Sequence, residues 1–171
     1  MMTTTTILEK LNRFTDEEFV QTFGEIFEHS PWIAQKALEK RPFPSIKESF
    51  TTMKQIVEQS SAEAQLVLIK EHPELGKRIK MSESSVREQS GAGLDSLTAE
   101  EYEVFSQLNK AYTEKFDFPF IIAVAGKDKN DILLAMKERL TSNCEQEFQT
   151  ALQQIYKIAK IRFDAIIESF S

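Results

Sequence analysis

A histidine and a glutamate in the middle of this chain lie close enough in sequence that together they could transfer a proton. His72 is followed directly by Pro73, and the segment Ser85-x-x-Glu88-Gln89 comes shortly afterwards. Pro73 disfavours helical backbone at His72 and cannot itself continue a hydrogen-bonded helix, so His72 is predicted at a helix exit. A histidine and a glutamate that converge on one pocket can move a proton near neutral pH.

Both residues also have ordinary structural interpretations. A histidine at a helix end often bonds the last carbonyls of that helix. Ser85-x-x-Glu88 matches a capping box, in which serine and glutamate satisfy the first backbone amides of a helix. Neither a dinucleotide-binding GxGxxG nor a metal-binding HExxH occurs in the sequence. The residue pattern alone therefore leaves the catalytic and the structural interpretation open.

The final predicted helix carries an arginine within its apolar stripe. At Arg162 the helical period calls for an inward-facing apolar residue, and an unpaired buried guanidinium would be strongly unfavourable. Arg162 should therefore meet a carboxylate, backbone carbonyls or an anionic ligand. The alternatives are a structural pair with a core acidic residue, or a side chain that reaches solvent from the edge of the stripe. The stripe consists of Phe148, Leu152, Ile155, Ala159 and Ile166.

The composition argues against several classes of function. The 171 residues are 41% hydrophobic and 28% charged, as is typical of one globular domain with a single core. The net charge is −6 and no basic cluster offsets it, which argues against nucleic-acid binding. No apolar run approaches the roughly 20 residues of a membrane span.

The cysteine count bears on the compartment and on metal binding. Cys144 is the single cysteine of the sequence, which excludes an internal disulfide and a thiolate metal cluster and fits a reducing compartment. No metal site is expected, because no histidine belongs to a metal-binding pattern. The first residues lack the basic and apolar regions of a secretory signal. We therefore expect a cytoplasmic protein without a membrane or nucleic-acid partner.

The sequence pattern over most of the chain predicts successive helices. Apolar residues recur at spacings of three and four, and the helix starts carry capping signals. The pattern predicts an all-α, single-domain bundle of about seven to nine helices. Starts are predicted at Thr15-x-x-Glu18, Ser30-Pro31, Ser45-x-x-Glu48, Ser60-x-x-Glu63, Thr98-x-x-Glu101, Asn130 and Ser142-x-x-Glu145, with a further short helix around 83–90.

One apolar segment, residues 118–126, breaks the helical rhythm. It is short and ends in Gly126, so by pattern it is either a buried strand or an extended crossing segment. No other good strand candidate exists to pair with it. We therefore predict an extended or irregular buried segment among helices. Its backbone amides would lack a ladder, and since unpaired buried amides are unfavourable, they are candidate donors to a ligand.

Five short motifs occur along the chain in the order in which one enzyme family carries them. The motifs are His29-Ser30-Pro31-Trp32 with Arg41-Pro42-Phe43, His72-Pro73-x-Leu75-Gly76, Ser85-x-x-Glu88-Gln89-x-x-Ala92-Gly93-Leu94, Leu108-Asn109-x-x-Tyr112-x-x-Lys115-Phe116-x-Phe118-Pro119-Phe120, and Ile158-Ala159-x-x-Arg162. By these motifs the chain resembles the 2-oxo-4-hydroxy-4-carboxy-5-ureidoimidazoline (OHCU) decarboxylases of urate degradation. The resemblance covers about residues 18 to 166.

The resemblance implies a cofactor-free, all-helical and usually dimeric enzyme of purine degradation that yields (S)-allantoin. Residues 1–171 would form an OHCU decarboxylase-like domain, and because some relatives are fused to urate oxidase, this domain is a candidate amino-terminal part of such a fusion. By position, His72 matches the catalytic histidine, Glu88 the essential glutamate and Arg162 the pocket arginine. The other substrate-binding positions would be Ser85, Gln89, Pro73 and the backbone of Phe120, Ile121, Ile122, Ala123 and Val124.

Two other functions remain open from the sequence. The chain would be a non-catalytic helical interaction module if its polar motifs were only caps and core pairs. It would be a hydrolase of a related ureide if the same pocket activated water in place of releasing carbon dioxide. The products distinguish the three readings.

Overall fold

A computed structural model describes residues 3–76 and 83–170 of the chain. These residues form nine α-helices and no strand, which confirms the predicted all-helical class. None of these helices combines the length and apolar composition that a membrane crossing requires. The helices are α1 Thr4–Arg13, α2 Asp16–Phe23, α3 Trp32–Leu38, α4 Ile46–Glu58, α5 Ala62–Glu71, α6 Glu83–Gly91, α7 Ala99–Phe116, α8 Lys129–Arg139 and α9 Cys144–Ser169.

The described residues fall into two compact units. The first holds the chain up to Leu68 together with the chain from Tyr156 onward, and the second holds Ile69 to Ile155. Helices α5 and α9 each contribute residues to both units. A single domain over residues 1–171 stays a prediction.

The first unit is built on a cluster of aromatic rings. Phe23 packs against Phe19 at 5.0 Å and against Phe163 at 5.4 Å between ring centroids, and Phe50 also contacts Phe163 at 5.4 Å. Phe19, Phe23 and Phe163 are almost completely buried. These rings come from α2, α4 and the end of α9, so removing their surfaces from water joins these helices.

The second unit is centred on Tyr112 of α7. Its ring lies 4.5 Å from Phe116, 5.9 Å from Phe118 and 5.3 Å from Phe120, measured between centroids. Helix α7 ends where Asp117 adopts a left-handed conformation with φ 63°. The chain then runs without regular structure through residues 118–124, which are buried except at the partly exposed Pro119. The predicted irregular buried segment is therefore confirmed over residues 118–124, whereas residues 125–126 form an exposed turn.

Three of the predicted helix caps are confirmed. The hydroxyl oxygens of Thr15, Ser45 and Thr98 each accept a hydrogen bond from the backbone amide three residues later. At α2 and α7 the capping box is complete, because Glu18 and Glu101 accept a bond from the backbone amide of the capping threonine.

Other helix starts differ from the prediction. Helix α1 was not among the predicted elements, and α3 begins at Trp32 because the Ser30 hydroxyl donates to the Glu28 carbonyl and does not cap the helix. Three caps lie one or two residues from the expected position, since neighbouring polar residues compete for the role. They are Ser61 for α5, Asp128 for α8 and Asn143 for α9, in place of Ser60, Asn130 and Ser142.

Replacement of Thr98 by alanine should lower the free energy of unfolding by about 1 kcal/mol, because the first turn of α7 loses a side-chain acceptor. The Thr98→Ser variant keeps the acceptor oxygen and should stay close to the parent protein. Urea denaturation followed by far-ultraviolet circular dichroism measures both. Equal destabilisation by serine and alanine would contradict the capping role.

Candidate active site

His72 lies directly after α5, at the helix exit that Pro73 predicts. The helix ends at Glu71, and the His72 backbone amide closes the last turn by donating to the Ile69 carbonyl at 3.2 Å. The His72 residue is 6% exposed, whereas Pro73 is partly exposed. The residue is thus largely shielded from bulk water.

The turn that follows His72 is fixed by two amide side chains. The Asn109 Nδ2 of α7 donates to the Leu75 carbonyl at 2.8 Å, and the Gln89 Oε1 of α6 accepts from the Gly76 backbone amide at 3.0 Å. Gly76 has φ +75°, and a Cβ there would lie 3.0 Å from a methyl group of Leu97. The backbone conformation therefore favours glycine, and a larger residue would also have to displace the Leu97 methyl group slightly.

Helix α6 presents a polar face to the interior of its unit. Ser85 and Gln89 are buried one turn apart, Glu88 beside them is partly exposed, and Ala92 continues the same face. Helix α6 already begins at Glu83, so the alternative in which Ser85 caps the helix is wrong. The bond between Gly76 and Gln89 joins this face to the turn of His72.

The segment after α7 has only part of its backbone available to a ligand. The Ala123 amide donates to Gln154 Oε1 of α9 at 3.0 Å, and the Ile121 carbonyl accepts from Arg139. The Val124 carbonyl accepts from the Lys127 amide at 3.0 Å. The expectation that the amides of this segment serve as ligand donors therefore fails at Ala123, because a side chain already accepts from it.

A buried ion pair that the sequence analysis missed lies behind this segment. Arg139 Nε and Glu147 Oε1 are 2.8 Å apart, and Glu147 is only 1% exposed. The Tyr112 hydroxyl donates to the same carboxylate oxygen at 2.6 Å, and the guanidinium lies 4.3 Å from the Phe120 ring centroid. Burial, together with this hydrogen bond, raises the pKa of Tyr112, so its hydroxyl remains a donor.

A signal for this ion pair was nevertheless present in the sequence. Glu147 occupies the same buried stripe of α9 as Ala151 and Ile155, at spacings of four. A carboxylate at such a position requires a cation or several donors, by the reasoning that applies to an arginine in a stripe.

Arg162 lies in the first unit, where it has a carboxylate partner. Its Nη2 is 3.1 Å from Glu28 Oε2, and its Nη1 donates to the Glu25 carbonyl at 3.2 Å. The side chains of Arg162 and Glu28 are 6% and 0% exposed. The structural pair with a core acidic residue is thus present.

Comparison with known proteins identifies the family. The family described as OHCU decarboxylase matches residues 12–164. The 2-oxo-4-hydroxy-4-carboxy-5-ureidoimidazoline decarboxylase of Haloferax volcanii is 44% identical over 164 residues, or 96% of each chain. The chain belongs to the OHCU decarboxylase family.

Two further relatives show where else this family's sequence and fold occur. The uric acid degradation bifunctional protein PucL of Bacillus subtilis is 48% identical over 94% of this chain, which spans 32% of that protein. The crystal structure of (S)-allantoin synthase superposes with a TM-score of 0.76 at 32% identity, covering 93% of this chain and 53% of the other. OHCU decarboxylases are carboxy-lyases, so the family is one of enzymes.

Among the residues predicted for the site of this OHCU decarboxylase family member, Arg162 belongs to the first unit. The remaining predicted residues all belong to the second unit, where a hydrogen bond joins the His72 turn to α6. They are His72, Pro73, Ser85, Glu88, Gln89, Phe120, Ile121, Ile122, Ala123 and Val124.

Replacing Glu28 by glutamine should lower the free energy of unfolding by about 3 kcal/mol or more, because Arg162 would keep a buried charge without its carboxylate. The exposed pair of Lys160 and Asp164, also on α9, supplies the control. The Asp164→Asn variant should lose far less stability, since water screens exposed charges. Urea denaturation measures the free energy of unfolding of both variants. Similar decreases in the two variants would contradict a buried ion pair between Arg162 and Glu28.

Proposed function

We propose that the chain decarboxylates OHCU to (S)-allantoin in urate degradation, without a cofactor. The observation that carries this proposal is the 44% identity to an OHCU decarboxylase over 96% of both chains. The geometry adds support, because a buried histidine precedes a turn that binds the side chains of Gln89 and Asn109, and Gln89 lies on the polar face of α6. These are features that proton transfer to a small polar substrate requires.

The reaction sets three demands on a protein. Loss of carbon dioxide breaks a carbon–carbon bond and leaves an electron pair, which the electron-poor C=N of the ring accepts. The carboxylate must therefore be held out of the ring plane, and the developing negative charge must be stabilised. A proton must then reach one face of the ring only, because the product is a single enantiomer.

In this proposal His72 delivers the proton, either to the developing charge or to the ring. Its fixed turn suits that role, because a proton donor must stay within hydrogen-bonding reach of one face of the substrate. Glu88 would hold the tautomer of His72 and bind the ureido or hydroxyl group. This assignment is supported by the position of Glu88, which is partly exposed and lies beside the buried Gln89.

The other proposed binding groups would orient the substrate. The carbonyl oxygen of Gln89 accepts from Gly76, and its amide nitrogen would donate to an acceptor atom of the substrate. Ser85 lies one turn earlier on the same buried face, and Pro73 follows the histidine. Arg162 would attract an anionic group. The backbone from Phe120 to Val124 would complete the wall of the pocket.

The proposal extends to location and assembly. We expect a cytoplasmic homodimer that works together with urate oxidase. Two relatives support the last point, since PucL and the corresponding protein of Bacillus sp. TB-90 are bifunctional proteins of uric acid degradation, and this chain spans 32% of each.

The assay that tests the proposal supplies freshly made OHCU and follows circular dichroism. Rapid growth of the (S)-allantoin signal with release of carbon dioxide supports a decarboxylase. Only slow, racemic product, as in a blank, would instead indicate a non-catalytic helical module. Ammonia or ring-opened product without carbon dioxide would indicate a hydrolase of a related ureide.

Replacing His72 by asparagine should abolish turnover and leave the helical spectrum intact, because the proton donor is lost while a polar side chain remains. The second histidine supplies the matched control. His29 is 48% exposed in its side chain and has φ 46°, a conformation that asparagine tolerates. The His29→Asn variant should remain active, and near-normal turnover by His72→Asn would sink the assigned role.

A further inference from the structure

The irregular segment from Phe120 to Val124 has no strand partner among the described residues, and side chains hold part of its backbone. Two such contacts come from helices that follow it in the chain. Arg139, the last residue of α8, donates to the Ile121 carbonyl, and Gln154 of α9 accepts from the Ala123 amide at 3.0 Å.

These two contacts involve the Ile121 carbonyl and the Ala123 amide, which lie two residues apart in the segment. Arg139 and Gln154 therefore hold the segment at two nearby points of its backbone.

The guanidinium of Arg139 is itself held on several sides. Glu147 binds its Nε at 2.8 Å, Tyr112 lies 3.4 Å from its Nη2, and the Phe120 ring stacks against it at 4.3 Å. A planar group bound in this way has little freedom to move, and lysine offers neither its fork of donors nor its flat face. Arg139 thus links the backbone of the segment to α8 directly and to α9 through Glu147.

We propose that Arg139 and Gln154 are positioning residues that hold the Phe120–Val124 backbone in place as a wall of the substrate pocket. Neither needs to touch substrate. This inference rests on the proposed function, because the segment serves as a pocket wall only if the chain binds OHCU. Its structural part, the anchoring of the segment, stands on the contacts alone.

Two substitutions remove one anchor each. Arg139→Lys keeps a positive charge but loses the forked donors, and Gln154→Met keeps the length of the side chain but loses the acceptor for the Ala123 amide. Gln154→Glu restores an acceptor oxygen at the same place. Gln154 is partly exposed, so its variants should fold even where Arg139→Lys does not.

A second ion pair of α8 supplies the matched control. Lys129 Nζ lies 2.8 Å from Glu101 of α7, in the same unit, and neither residue belongs to the segment. The Lys129→Met variant therefore removes an ion pair at the first residue of α8, at the end opposite Arg139, and leaves both proposed anchors in place.

The first measurement is the steady-state response to OHCU. A displaced wall weakens substrate binding but leaves the His72 turn intact, so KM should rise about 10- to 100-fold in Arg139→Lys and Gln154→Met while kcat changes much less. Loss of folded protein alone would lower the apparent kcat and leave KM unchanged. Gln154→Glu should restore KM, and Lys129→Met should keep it.

The second measurement is amide hydrogen exchange of peptides that cover residues 118–126. Both anchor variants should exchange faster there than the parent protein, and Lys129→Met should not. Unchanged exchange in Gln154→Met would overturn the anchoring, and unchanged KM would overturn the role as a pocket wall. A parent protein inactive on OHCU would instead overturn the proposed function, while the exchange data would still decide the anchoring.

Discussion

An irregular backbone inside an all-helical protein has no neighbouring strand to bond with, and the candidate site depends on the side chains that take that place. Buried amides and carbonyls that lack a partner are strongly unfavourable. Within a helix the backbone groups bond one another, so the body of a neighbouring helix offers its side chains. The turn after His72 receives Asn109 and Gln89, and the segment after α7 receives Arg139 and Gln154. The side chains that stabilise these stretches therefore also fix the shape of the site.

The helical class was predictable because it follows from local patterns. Apolar spacing and capping signals act within a few residues of each other, so the sequence carries them directly. The cap positions were less certain wherever two capping residues are close neighbours, as with Ser60 and Ser61 before α5. Which of the two serines caps the helix depends on which of them has an extended backbone conformation, and the packing of the folded chain determines that. Helix α1 was missed although it has a capping threonine, Thr3, and a buried leucine, Leu11.

The site was predictable only in part, for the same reason. The order of short motifs singled out the His72 turn and the polar face of α6, since each is contiguous in sequence. Asn109 lies 34 residues from the carbonyl that it binds, and Gln154 lies 31 residues from Ala123. No local pattern encodes such pairs. Glu147 is the exception, because an acidic residue in a buried stripe indicates that a cation or hydrogen-bond donor lies nearby, although it does not identify that partner.

Gln89 has a consequence for how this site can evolve. Its carbonyl oxygen supports the Gly76 amide, while its nitrogen faces the proposed task of substrate recognition. A substitution of Gln89 that favoured another ureide would thus also remove a hydrogen bond from the turn after His72. Gln89 would thus serve both substrate selectivity and the structure of the turn, so two separate requirements limit which residues can replace it.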